Sequence, residues 1–110
     1  VKALLAYLPS NNVDPSPTAP DPDAAEAKDA RLVEAERRLA SIVPENANHP
    51  YDMAEVIRCV VDPDTFFEIK PEYAPQMIVG FARLGGQAVG IVGNNPNHLA
   101  GVLDIDASVK

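Results

Sequence analysis

A chain of 110 residues lies in the size range of one small domain, about 100–150 residues, and its formal net charge of −7 excludes the basic surface that a nucleic-acid binder needs. The single cysteine, Cys59, excludes an internal disulfide and a cysteine-rich zinc site. No apolar run of about 18 residues and no charged leader followed by an apolar stretch is present, so the sequence shows neither a membrane span nor a signal peptide.

Leu4, Leu5 and Leu8 share one helical face, which predicts the last turns of a helix closed by Pro9. From Ser10 the composition shifts: Pro15, Pro17, Pro20 and Pro22 alternate with short polar residues, predicting an extended, mobile linker that buries little apolar area. A helix is predicted over 23–43, opened by a capping box of Asp23 and Glu26 and ended by Pro44. Its stripe of Leu32, Ala35, Leu39 and Ile42–Val43 is narrow, as in a surface helix, and Glu34 and Arg38 are spaced for an ion pair.

Asp52 and Glu55 form a second capping box, and Met53, Val56, Ile57 and Val60 give the buried stripe of a short helix ending at Asp62-Pro63. Phe66–Ile69 reads as a strand. The apolar runs Met77–Ala82 and Ala88–Val92, separated by Leu84-Gly85-Gly86-Gln87, predict a hairpin whose strands are both buried on two faces. Asp106 is a good N-cap for a helix starting at Asp106–Lys110. With no Met before Val1 and no helix body after Lys110, the chain is expected to be an internal piece of a longer one.

Few residues invite a chemical role. Cys59 sits in the patterned helix and fits a semi-buried packing residue; nothing in the sequence marks it as an activated thiol. His49 and His98 lie in Asn/Pro-rich loops without the spacing of a metal pair; loop polarity accounts for His49, and His98 is a candidate for lining a pocket. Asp104 and Asp106 resemble an acidic metal pair only superficially, since capping already explains Asp106. Gly85-Gly86 and Gly90-x-x-Gly93 lack the rest of a phosphate-loop fingerprint. No catalytic side chain and no metal ligand is predicted.

The order of motifs is more specific. Pro50-Tyr51-Asp52-Met53, Phe66-Phe67-Glu68-Ile69, Tyr73-Ala74-Pro75, Gly80 to Gly86, Val89 to Val92 and Gly101 to Ser108 resemble one stretch of the carboxyltransferase (β) subunits of biotin-dependent acyl-CoA carboxylases. That family includes propionyl-CoA and acetyl-CoA carboxylase β chains, the methylmalonyl-CoA carboxyltransferase large subunit and related decarboxylase subunits. Leu4 to Asn12 is similar to the end of the family's N-terminal half, and Leu39 to Pro44 to the end of its linker. Asn94-Asn95-Pro96 stands where Asn-Gln-Pro is common, and Val102 where Cys is frequent.

The resemblance implies an α/β fold: part of a two-domain, crotonase-like carboxyltransferase built on the β-β-α superhelix. Residues 1–9 would end its N-terminal half, 10–50 would be a linker with its surface helix, and 51–110 would begin the C-terminal half. It further implies transfer of a carboxyl group from carboxybiotin, borne on a separate carrier protein, to the α carbon of an acyl-CoA. Backbone N–H donors would stabilise the enolate, which explains the absence of a side-chain acid, base or nucleophile. Implied partners are acyl-CoA, the biotin carboxylase and carrier subunit, and further carboxyltransferase subunits, with no nucleic acid and no membrane, in the cytoplasm or mitochondrial matrix. The isolated chain is expected to be inactive. The loop Asn94, Asn95, Pro96, Asn97, His98, Leu99, Ala100 and Gly101 is the implied biotin-side wall of the active site. A non-catalytic assembly module and a biotin-dependent decarboxylase subunit are the alternatives.

Overall fold

The computed structural model describes residues 1–20 and 28–110. Their elements, in order, are α1 (Lys2–Leu5), α2 (Lys28–Ile42), α3 (Met53–Val60), β1 (Phe67–Glu68), β2 (Met77–Leu84), β3 (Gln87–Asn94), a 3-10 turn at Leu99–Gly101 and α4 (Ile105–Val109). The sheet is antiparallel in the order β1-β2-β3.

The hairpin forms where the paired glycines predict it. Leu84 faces Gln87, leaving Gly85 and Gly86 as a two-residue turn with φ of 57° and 80°. Two successive positive φ angles suit the right-handed twist of the strands and favour glycine at both positions. The Asp62 carboxylate accepts from both turn N–H groups, Gly85 at 2.9 Å and Gly86 at 2.7 Å. A residue just past α3 thereby holds the hairpin tip.

Alternation along β2 divides the core. Ile78 and Ala82 pack against Ala54, Ile57 and Val61 from α3, with Met53, Phe66, Val89 and Ile91 around them. On the other face Met77 and Val79 meet Ala74 and Ala107 of α4. Period 2 sends neighbouring side chains to opposite faces, so β2 is buried on both. The expectation of two buried faces fails for β3, which pairs only with β2 among the described residues and alternates in burial, with Val92 74% exposed.

Several boundaries shift. The buried residues of α3 are Ala54 and Ile57, continued by Val61 at its C-cap, while Val60 is exposed, because β2 packs on Ala54, Ile57 and Val61. Asp52 is the N-cap, accepting from the Ala54 N–H at 3.0 Å. Only Phe67–Glu68 forms ladder strand, although the Ile69 N–H extends the bonding to the Val79 carbonyl at 2.8 Å. Helix α4 is capped by Asp104 rather than Asp106: its carboxylate accepts from the Ala107 N–H at 2.8 Å.

The expected surface helix is present as α2, half-burying Ala35, Leu39 and Ile42 beside α3. Its Glu34 pairs with Arg37 at 3.8 Å, not with Arg38. The capping box of Asp23 and Glu26, and Pro22, lie outside the described residues. Of the proline-rich segment before it, residues 10–14 bend around the Asn11 side chain, and the main chain beyond docks on the hairpin: Ala19 N–H reaches the Gly86 carbonyl at 2.8 Å, and Thr18 bridges to Gln87. Of the first predicted helix only Lys2–Leu5 is helical, and Tyr7 makes its contacts, stacking on Phe67 and Phe81 and donating to the Thr65 carbonyl.

Candidate functional site

Strand β3 ends at Asn94, and the chain then turns through the loop singled out in the sequence. The loop is bonded at both ends. Asn94 donates from Nδ2 to the Gly101 carbonyl at 2.7 Å, closing it on itself. Asn95 is buried, and its side-chain oxygen accepts from the N–H of Met53 at 3.2 Å and of Asn97 at 3.4 Å. The Asn95 amide thus fixes the loop to the start of α3 and is turned into the chain. Asn94, His98, Leu99 and Ala100 are exposed, while Pro96 and Gly101 are half-buried.

The backbone between His98 and Val102 is unusual. Leu99, Ala100 and Gly101 are all left-handed, with φ of 46°, 53° and 71°. For the two residues carrying a Cβ this costs of order 1–3 kcal/mol each and persists only where surrounding bonds over-determine the conformation. Those bonds run from Gly101 N–H to the His98 carbonyl at 2.8 Å and from Val102 N–H to the Leu99 carbonyl at 3.0 Å. At Gly101 a side chain would combine strain with contact, since a Cβ there would lie 3.4 Å from Asn94 Cβ.

A cleft of about 470 Å³ opens between this loop and the segment before α3, with Pro96, Asn97 and Ala100 on one wall and Asn48, His49 and Tyr51 on the other. Small apolar surfaces alternate with neutral amides, and His49 is the one ionisable side chain on these walls apart from the Tyr51 phenol. The sequence pointed to His98 as the pocket residue of the two histidines; the structure puts His49 in the cleft instead. The signal for His49 was its place in the Asn/Pro turn just ahead of the Asp52 cap, which aims that turn at the end of β3.

Adjoining clefts between α2 and α3 bring together Arg31, Arg38 and Arg58, with Cys59 beside them. Their charge is offset by Glu34, Asp62 and Asp64 on the same walls, so they form no concentrated anion site. Cys59 is half-buried there, as its helical position predicts. Among the described residues no group of three or more His, Cys, Asp or Glu could hold a metal, and no helix is long and apolar enough to cross a membrane. Asp104 and Asp106 separate in role, with Asp104 capping α4 and Asp106 accepting from the Tyr73 hydroxyl at 3.3 Å.

The family model for the carboxyl transferase domain matches residues 1–110. The chain belongs to the carboxyl transferase family. It is 48% identical to the propionyl-CoA carboxylase beta chain of Saccharopolyspora erythraea over 100% of its own length and 20% of that protein's. It is 42% identical to the methylmalonyl-CoA decarboxylase subunit alpha of Veillonella parvula, again over 100% of its length and 20% of that protein's. Among solved structures, transcarboxylase 12S superposes with a TM-score of 0.81 at 37% identity, covering 97% of this chain and 19% of that one. The chain therefore spans about a fifth of the length of the curated relatives it matches. Its helices and sheet are one stretch of the α/β, crotonase-like carboxyltransferase fold that the motifs implied.

Proposed function

We propose that this chain is part of a carboxyltransferase subunit that moves a carboxyl group from carboxybiotin to the α carbon of an acyl-CoA such as propionyl-CoA. The observation that carries the reading is similarity along the full chain to propionyl-CoA carboxylase beta chains, 48% and 46% identical in a bacterium and in pig mitochondria. Carboxybiotin supplies the carboxyl group: its N–C bond breaks, its nitrogen takes up the α-proton, and the thioester enolate forms the new C–C bond.

The residues of this chain serve that chemistry as a wall. Pro96 and Ala100 offer a surface on which a flat, neutral ring can lie, and the amides of Asn48 and Asn97 supply donors and acceptors at the rim. The cleft fits a ureido ring in size and polarity, and it adds no buried charge that an uncharged ring would have to desolvate. Asn94 and Gly101 keep the wall closed on itself, and Asn95 holds it against α3. His98 and Leu99 are exposed on the same loop, open to a carrier-borne group.

This reading carries its partners with it: a biotin carboxylase and carrier subunit, acyl-CoA, and other copies of the carboxyltransferase subunit, in the cytoplasm or mitochondrial matrix. The similarity to a methylmalonyl-CoA decarboxylase subunit supports a second reading, the same site working in the decarboxylating direction. Asn94→Ala and Gly101→Val in the intact subunit test the site. Weakened use of the biotin substrate, with assembly and acyl-CoA affinity preserved, is expected. Unchanged kinetics for both variants in an assembled enzyme would remove the loop from the site.

A further inference from the structure

Gln76 stands just before β2, is 3% exposed, and carries none of the motifs by which the family resemblance is read. Its two polar ends do different things. The main-chain carbonyl accepts from the Asn95 N–H at 2.8 Å, and the side-chain Nε2 donates to Asp104 Oδ1 at 2.8 Å. Asn95 lies at the start of the candidate loop, and Asp104 follows its end as the cap of α4. One buried residue is therefore bonded both to the start of the loop, at Asn95, and to the α4 cap that follows it, at Asp104.

We propose that Gln76 is a positioning residue for the biotin-side wall, fixing the separation of Asn95 and Asp104 and so holding Leu99 and Ala100 in their left-handed conformation. The inference rests on the reading of the loop given above. Its physical basis is over-determination. The two local main-chain bonds at Gly101 and Val102 offset the strain of a left-handed run with side chains only in part, so it relaxes when the flanking residues are released. The Asn94 bond to Gly101 closes the loop's own ring, but it does not set where that ring sits relative to α4. Asp104 does, and it is doubly engaged: the same Oδ1 accepts from Gln76 Nε2 and from the Ala107 N–H. The bond ties the buried Gln76 amide to the carboxylate of the exposed Asp104, and leaving that buried amide unmatched is costly.

The test is a polarity swap in the intact subunit. Gln76→Glu sets a carboxylate against Asp104 and loosens the Asp104 end, while the main-chain carbonyl at position 76 still holds Asn95. Asp104→Asn is the conservative control: its oxygen, placed where Asp104 Oδ1 stands, still accepts from Gln76 Nε2 and from the Ala107 N–H, a capping role in which Asn serves as well as Asp. Gln76→Met, apolar and close in volume, gives a second loosened variant free of the added charge. Two readouts are taken: amide hydrogen exchange across 99–107, and carboxyl transfer from methylmalonyl-CoA to biocytin.

In both Gln76 variants exchange across 99–107 should quicken and the KM for biocytin should rise roughly tenfold or more, as expected when a binding wall is misplaced by an ångström. The KM for the acyl-CoA should stay put, and Asp104→Asn, which keeps the acceptor, should retain both wild-type values. Unchanged exchange in Gln76→Glu and Gln76→Met overturns the positioning role, whatever the kinetics show. Faster exchange with an unchanged biocytin KM would instead overturn the loop's place in the site. Absence of biocytin carboxylation by the wild-type subunit would overturn the carboxyltransferase reading itself, so the three failures are distinct.

Discussion

Arg83 donates through Nη2 to the main-chain carbonyl of Ala6 at 2.8 Å, joining the hairpin to the segment that precedes the proline-rich linker. Its Nη1 donates to the Pro17 carbonyl at 2.8 Å and to the Gly86 carbonyl at 3.0 Å, and the guanidinium lies 5.1 Å from the centre of the Tyr7 ring. The two sides of a linker with few apolar side chains to bury are thus gathered by one cation.

Replacing Arg83 should release that segment. Arg83→Ala is expected to cost about 2 kcal/mol, since bonds from a charged donor are worth more than neutral ones but this side chain is only half-buried. Amide exchange at Ala19 should accelerate, and proteolysis between residues 10 and 20 should become faster. Arg83→Lys should behave nearly as Arg83→Ala, because an ammonium cannot match a planar fork aimed at three carbonyls. Full protection in the lysine variant would show that charge alone holds the segment.

The Asp62 carboxylate offers a second, independent test. It accepts both N–H groups of the Gly85-Gly86 turn, so Asp62→Asn keeps one acceptor and presents a donor to the other. A loss of about 1–3 kcal/mol is expected, read as a lowered denaturation midpoint. Asp62→Ala should lose at least as much. A neutral Asp62→Asn would mean that the glycines alone define the turn.

These two residues also mark what could be read from the sequence. The hairpin, its turn and α3 were legible, because Gly-Gly between apolar runs, and Asp52 before a 3.6-residue stripe, act through local rules, and the described part of α2 was legible from its stripe. The tertiary roles of Asp62 and Arg83 were not: Asp62 reads as a helix stop and Arg83 as a polar residue in a strand, and their partners are 23 and 77 residues away. The face of α3 was misread for the same reason, since the choice between Val60 and Val61 depends on where β2 crosses it. At the candidate site, the loop was named from the resemblance, while the placement of His49 and Tyr51 in the cleft and of Gln76 beside Asn95 depends on contacts with the end of β3 that no local pattern shows.

Gly80 tests the packing of β1. A Cβ built there would lie 2.5 Å from the Phe67 carbonyl oxygen and 3.1 Å from Phe66 Cε2. The first of these is main chain and cannot rotate away, so β1 would have to move out of register with Phe81 and Gly80. Gly80→Ala should therefore destabilise by about 1–3 kcal/mol, the usual range for overpacking. Loss of the stacking between Tyr7 and Phe67 should accompany it, visible as a changed near-ultraviolet circular dichroism spectrum. An unaltered midpoint would show that β1 is loosely held.

The last test uses pH. The Tyr73 hydroxyl donates to Asp106 Oδ1 at 3.3 Å, and its pKa is raised above 10.0, first by desolvation and then by the Asp106 and Asp104 carboxylates. A folded-state pKa above the unfolded one means that the contribution to stability is fully present below the unfolded value and is lost as pH rises through the folded value. Stability should therefore fall above about pH 10, where the phenol of the unfolded chain begins to ionise. Lys110 acts in the opposite sense. Desolvation lowers its pKa against the attraction of Glu68, with Lys70 adding to the lowering, so folding disfavours its charged form and that penalty is relieved as pH rises. Tyr73→Phe should remove the alkaline loss and expose the Lys110 contribution as a shallow gain, and Tyr73→Phe with Lys110→Met should leave neither. The measurement is the denaturation midpoint from about pH 7 to about pH 11, a range that brackets the ordinary phenol and ammonium values. An alkaline loss as steep in Tyr73→Phe as in the parent would show that the contact with Asp106 does not join Tyr73 to α4.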